Sequence, residues 1–145
     1  MLVVIRGAGD LASGIALRLY RAGARIVMLD VEVPTAVRRS VAFSEAIRLG
    51  EAQVEGIKAV RAKDITDALR IVGEKNIAVL IDPEGACISE LKPDVLVDAI
   101  LAKRNIGTTK DMAPVVIGVG PGFKAGTDSK SDCHAVIETK RGHYL

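Results

Sequence analysis

Gly7, Gly9 and Ala12 stand at the spacing G-x-G-x-x-[GA] within "VVIRGAGDLASG", residues 3–14. That pattern suits phosphate binding. The first glycine permits a tight turn, the second lets a ligand reach the backbone, and a small third residue lets the helix lie close to its strand. N–H groups at the helix start then attract an anion. Asp10 complicates this, because a carboxylate at the helix start can cap the N-terminus but also repels phosphate. It is expected to meet a hydroxyl or a metal-bridged ligand instead. The competing reading is a tight turn that needs glycine only for geometry.

Further polar residues fall where a doubly wound sheet gathers its ligands. Asp30 closes the run "RIVMLD" roughly 20 residues after Gly9, where a carboxylate holds a ribose diol and disfavours a 2′-phosphate. Arg38 and Arg39 could grip a phosphate bidentately, or simply form a solvated helix face. Asp82 in "IDPEG" and Asp98 in "VDAILAKRN" end apolar runs, and each either faces a ligand or caps the next helix. The run "AKRNIGTTKDMAP", with Lys103, Asn105, Gly107, Thr108 and Asp111, is more polar than a connector needs. "GVGPGF" brings Gly120 and Gly122 in a second glycine turn, able to hold the far end of an elongated phosphorylated ligand or serve as ordinary turn chemistry. Cys133, His134 and His143 lack further ligands at zinc-like spacing, so no metal site is expected. Cys87 and Cys133 read as isolated thiols.

These residues need a scaffold of strands ending on one edge. Leu2–Ile5 reads as a strand, and Leu11, Ile15 and Leu19 then fall on one helical stripe that stops at Gly23. Arg25–Asp30 comes next as a buried strand, completing a βαβ unit. "TAVRRSVAFSEAIRLG" predicts a short helix closed by Gly50. "EAQVEGIKAVRA" predicts an antiparallel hairpin about Glu55-Gly56. Asp64 is placed to cap a helix whose apolar face is Ile65, Ala68, Leu69 and Val72. "IAVLID", "DVLVDAI", "APVVIGVG" and "HAVIET" supply later strands, and "KAGTDSKSDC" a loose loop. The fold expected is α/β and Rossmann-like, a mostly parallel sheet with helices on both faces.

The chain has 145 residues, enough for a single domain over 1–145. A β-rich "HAVIETKRGHYL" with little after it leaves open that this is the N-terminal part of a longer protein. Only 3% of residues are aromatic, so the core must be aliphatic; the net charge of +2 provides no field for nucleic acid. No apolar run is long enough for a membrane span and no secretory signal is present, so the expected address is cytoplasmic. A homo-oligomer is compatible with this composition.

The segments "IRGAGDLASGIALRLYRAG", "PTAVRRSVAFSEAI", "VLIDPE", "LKPDVLVDAILAKRNIGTTKDMAPVVIGVGPGFKAG" and "HAVIETKRGH" resemble the YqeB-type accessory proteins of selenium-dependent molybdenum hydroxylases. That family is akin to the Rossmann part of the XdhC-type xanthine dehydrogenase maturation factors. The resemblance implies a factor that holds or modifies a molybdopterin-type cofactor before insertion, with a molybdenum hydroxylase as recipient. It implies that Gly7, Gly9 and Asp10 face the phosphate or nucleotide tail, with Gly120, Gly122 and the Lys103–Asp111 loop across the cleft. Family members continue past "RGH" with a further glycine-rich region. Two alternatives remain: an NAD-dependent oxidoreductase using the same loop, favoured by Asp30 but lacking a clear proton-transfer residue, and a structural or oligomerisation domain without ligand.

Overall fold

Five consecutive buried residues, Leu2–Arg6, make β1, and only a strand covered on both faces accommodates such a run. A computed structural model describes residues 1–30, 42–101, 105, 107–126 and 131–137. After β1 come α1 (Asp10–Arg21), β2 (Arg25–Asp30), α2 (Glu45–Leu49), β3 (Glu51–Val54), β4 (Ile57–Ala62), α3 (Ile65–Gly73) and β5 (Ile77–Ile81). The chain continues through α4 (Ile88–Leu91), β6 (Val95–Asp98), a 3-10 turn at Lys110–Met112, β7 (Val115–Val119) and β8 (Ala135–Ile137).

The strands form one sheet in the order β3-β4-β5-β2-β1-β6-β7-β8. Every pairing is parallel except β3 with β4. Side chains alternate between two cores. Val3, Ile5, Ile26, Met28, Ile77 and Val79 pack towards α1, α2 and Phe43. Leu2, Val4, Val27, Leu29, Ala78 and Leu80 pack towards α3 and α4. This is the α/β, Rossmann-like architecture the sequence predicts.

The order departs from a simple outward winding on one side. β4, α3 and β5 double back, so β5 lies between β4 and β2. The chain then crosses to the far side of β1 for β6. That reversal at β1 and β6 is the switch point at which open α/β sheets leave a crevice beyond their strand ends.

Several local expectations hold, each for an identifiable reason. Glu55 and Gly56 turn the hairpin with φ of 50° and 80°, the left-handed pair that matches strand twist. The Asp64 carboxylate accepts from the Asp67 N–H at 2.8 Å and starts α3.

Others are corrected. In α1 the buried face is Ala12, Ser13, Ala16 and Leu17, whereas Leu11 is exposed, and Ile15 and Leu19 only flank the core. Close helix–sheet packing selects small residues, which a search for bulky apolar spacing passes over. In α3 the buried face is Ala68, Ile71 and Val72, and Leu69 is exposed. α2 is only five residues, closed by Gly50 as expected; Val37 and Val41, assigned to the same helix, lie outside the described residues.

Candidate functional site

The sequence folds Gly7 to Gly9 into a turn with two different halves. At Gly7 φ is +107°, and a Cβ there would lie 2.8 Å from the Ala99 carbonyl oxygen. Its N–H donates to the Leu29 carbonyl at 2.6 Å. Backbone surrounds it on two sides, so this position requires glycine for conformation and for space. Ala8 is fully buried, and its carbonyl accepts from the Ser44 N–H at 2.9 Å and the Ser13 hydroxyl at 3.2 Å. Ser13 in turn accepts from the Phe43 N–H at 2.8 Å, which lays residues 42–44 against the turn.

Gly9 is the opposite case. It is the N-cap of α1, in extended conformation, with no side-chain cap, and a Cβ built on it would meet nothing within 4 Å. The first amides of a helix have no partner inside the helix, and the helix dipole adds partial positive charge there. Asp10 occupies the first turn and is half-buried. Ala12 is buried where α1 meets the sheet, the role its small size predicts.

Directly before Gly7 lies Arg6, only 1% exposed. Its register partner across β1 and β6 is Asp98, also 1% exposed. Thr108 bridges them: one guanidinium nitrogen, Nη1, donates to the Thr108 hydroxyl at 2.7 Å, and that hydroxyl donates to Asp98 Oδ2 at 2.5 Å. Asp98 Oδ1 accepts from the Ile100 N–H at 3.2 Å. Asn105 holds Thr108 from both sides, its Oδ1 accepting from the Thr108 N–H and its Nδ2 donating to the Thr108 carbonyl. The other terminal nitrogen, Nη2, donates to the Pro83 carbonyl at 3.0 Å, while Nε–H has no hydrogen-bond partner among the described residues.

Asp82 organises the neighbouring rim turn. Its two carboxylate oxygens accept from the Ala86 and Cys87 N–H groups at 3.0 and 2.8 Å. Burial would raise its pKa, but hydrogen bonds from Cys87, Ala86 and Gly85 outweigh burial and hold it below the ordinary carboxylate value. The Cys87 thiol goes the other way, pushed up to about 12 by burial and then by the Asp82 carboxylate. Cys133 is raised by burial as well. Both thiols are buried, and burial disfavours the thiolate that a nucleophile would need. The His134 Nδ1 accepts from the Val116 N–H at 2.9 Å. Among the described residues no group of metal-ligating side chains forms.

The second glycine turn differs from the first. A Cβ on Gly118 would overlap the Phe123 ring, so the absent side chain is replaced by an aromatic one from the same loop. Gly120 spends its N–H on the Ile137 carbonyl at 2.8 Å, and Gly120 and Gly122 both have positive φ. Glycine here closes a turn onto β8.

The switch-point rim thus gathers Gly7, Gly9, Asp10, Asp98 and Thr108, with Asp30 at the end of β2, on the other side of β1 from Asp98. The Asp82 N–H donates to the Asp30 carbonyl at 3.0 Å. Asp111 is exposed and accepts from the Thr109 hydroxyl. It lines a different space, a cavity of about 930 Å³ between α4 and the 3-10 turn, with Ser89, Lys92 and Asp94. Arg38, Arg39, Lys103 and His143 lie outside the described residues. Sequence reasoning missed Arg6, although a cation terminating the apolar run "LVVI" immediately before the glycines was a visible signal.

No helix among the described residues is long and apolar enough to cross a membrane. No family model and no solved structure matches the chain. A curated protein of Escherichia coli (strain K12), described as "Uncharacterized protein YqeB", is 56% identical over 144 residues, 99% of this chain. The chain spans 26% of that relative's length and is therefore similar to about a quarter of it.

Proposed function

We propose that this chain binds a phosphorylated, nucleotide-bearing ligand of the molybdopterin type at the β1–α1 turn. In this reading it is an accessory factor in the maturation of a selenium-dependent molybdenum hydroxylase, the enzyme that receives the cofactor. The observation that carries the ligand half is Gly9, an N-cap without a side-chain cap and with open space where a Cβ would stand, on the rim of the switch point. The maturation half rests on the family resemblance of five segments of the sequence.

The residues fit such a ligand in distinct ways. Backbone amides at the start of α1 would hold a phosphate group, Gly9 would let it approach, and Gly7 would keep the turn in place. Asp10 and Asp30 suit hydroxyl groups better than phosphate, because a carboxylate accepts hydrogen bonds and repels an anion. A bound pyranopterin would supply the dithiolene that carries molybdenum; the chain's own part is to hold and orient the tail.

Mass spectrometry of the ligand retained by the chain produced in a molybdenum-replete host tests the proposal. A pterin dinucleotide is the expected species, and Gly9→Asp is expected to abolish its retention. Unchanged retention by that variant refutes the site. The second reading, an NAD-dependent oxidoreductase, is favoured by Asp30 at the end of β2, where a ribose diol would lie. Titration of NADH fluorescence separates the two, since saturable enhancement supports the nicotinamide cofactor.

A further inference from the structure

Arg6 has an unusual position for a residue with no assigned role. It is a fully buried cation on the central strand, and it reaches three separate segments of the rim. Through Nη2 it holds the Pro83 carbonyl in the turn after β5. Through Nη1 and Thr108 it holds Asp98 at the end of β6 and the loop that carries Thr108. Through its own backbone it leads into Gly7, and its carbonyl accepts from the Ala99 N–H at 2.9 Å. The turn packs over the guanidinium at Gly85, where a Cβ would be in ordinary contact with Nε at 3.4 Å and would overlap Ile88 at 2.8 Å.

Burying a cation this completely is costly unless its partners are fixed. An aliphatic residue would fill the same position on β1 without that cost, as Val4 and Ile5 do. The geometry points to a positioning role: we infer that the Arg6–Thr108–Asp98 chain holds the three rim segments in the arrangement that presents the Gly7–Gly9 turn to an anion. Among the described residues Thr108 is the single hydrogen-bonded link between the two charges, so its hydroxyl, more than its shape, couples the loop at 105–112 to the turn. This inference rests on the proposed ligand site and extends it by naming what keeps that site formed in the free protein.

The test uses the 145-residue chain and the variants Thr108→Val, which keeps the shape and loses the hydroxyl, and Thr108→Ser, which keeps the hydroxyl. Amide hydrogen exchange of the free protein is read by segment, and pyrophosphate binding by calorimetry. For Thr108→Val, exchange is expected to rise about tenfold at both residues 7–9 and residues 84–86, distant in sequence from the substitution, with pyrophosphate affinity falling about tenfold. Thr108→Ser is expected to restore both. Exchange that rises only in residues 105–112, or Thr108→Ser behaving like Thr108→Val, overturns the inference, because either outcome describes a local packing role. If the unsubstituted chain binds no pyrophosphate while the exchange pattern appears as expected, the positioning role stands and the proposed ligand site falls.

Discussion

The turn after β1 and the turn after β7 share a glycine-rich composition and a place at strand ends of one sheet, yet they use glycine for opposite ends. After β7, the space a side chain would fill at Gly118 is taken by Phe123, and Gly120 gives its N–H to Ile137. After β1, Gly7 is locked against the exit of β6 while Gly9 faces open space. Glycine-rich spacing therefore does not by itself mark a ligand site. What separates the two is whether the freed volume is filled by the protein.

Substitutions can break or sharpen that contrast. Gly7→Ala should have the largest effect, because positive φ and a 2.8 Å approach to backbone act together and the Ala99 carbonyl cannot move away cheaply. A loss of about 3 kcal/mol in a denaturant titration is expected; an unchanged midpoint would show that Gly7 locks nothing. Gly118→Ala comes second at about 2 kcal/mol, since the Phe123 ring can swing to relieve the overlap. Its anion binding should stay at the level of the unsubstituted chain, and a loss of pyrophosphate affinity would return the β7 turn to the site.

Asp82→Asn probes a third rim turn, held by a carboxylate in addition to its glycine, Gly85. Its folded pKa lies below the ordinary value, so its stabilisation is present above the unfolded carboxylate range and is lost as pH falls through the folded value. The variant should be less stable by about 1 kcal/mol at neutral pH, with the gap closing as pH drops through about 4 and below. A gap independent of pH would show that shape, not charge, matters there. Gly9→Ala is the smallest change in stability, within about 0.5 kcal/mol because its Cβ enters open space. It is nevertheless expected to weaken pyrophosphate binding, and a variant with full affinity would show that no ligand approaches this backbone.

Much of the frame was legible because it is local. Continuous apolar runs marked β1, β2 and β5, the Glu55-Gly56 pair marked its hairpin, and Asp64 marked the start of α3. The buried faces of α1 and α3 differ from expectation at Leu11 and Leu69, where the largest apolar side chains are not those nearest the sheet. The Arg6–Thr108 bond joins residues 102 positions apart, and no spacing rule reaches across that distance. Asp98 stood out as a strand-end carboxylate, but its commitment to Thr108 and Ile100 became visible only with β1 and β6 side by side.

The register that pairs Val3 with Val95 and Arg6 with Asp98 carries a cost of its own. The innermost strand precedes one of its two neighbours by some ninety residues of chain, so during synthesis it waits with a hydrophobic flank unmatched. Closing so long a loop slows the search for the native pairing and exposes the nascent chain to association with other copies. Refolding of this protein from denaturant should accordingly be slow for its size, with yields that fall as concentration rises.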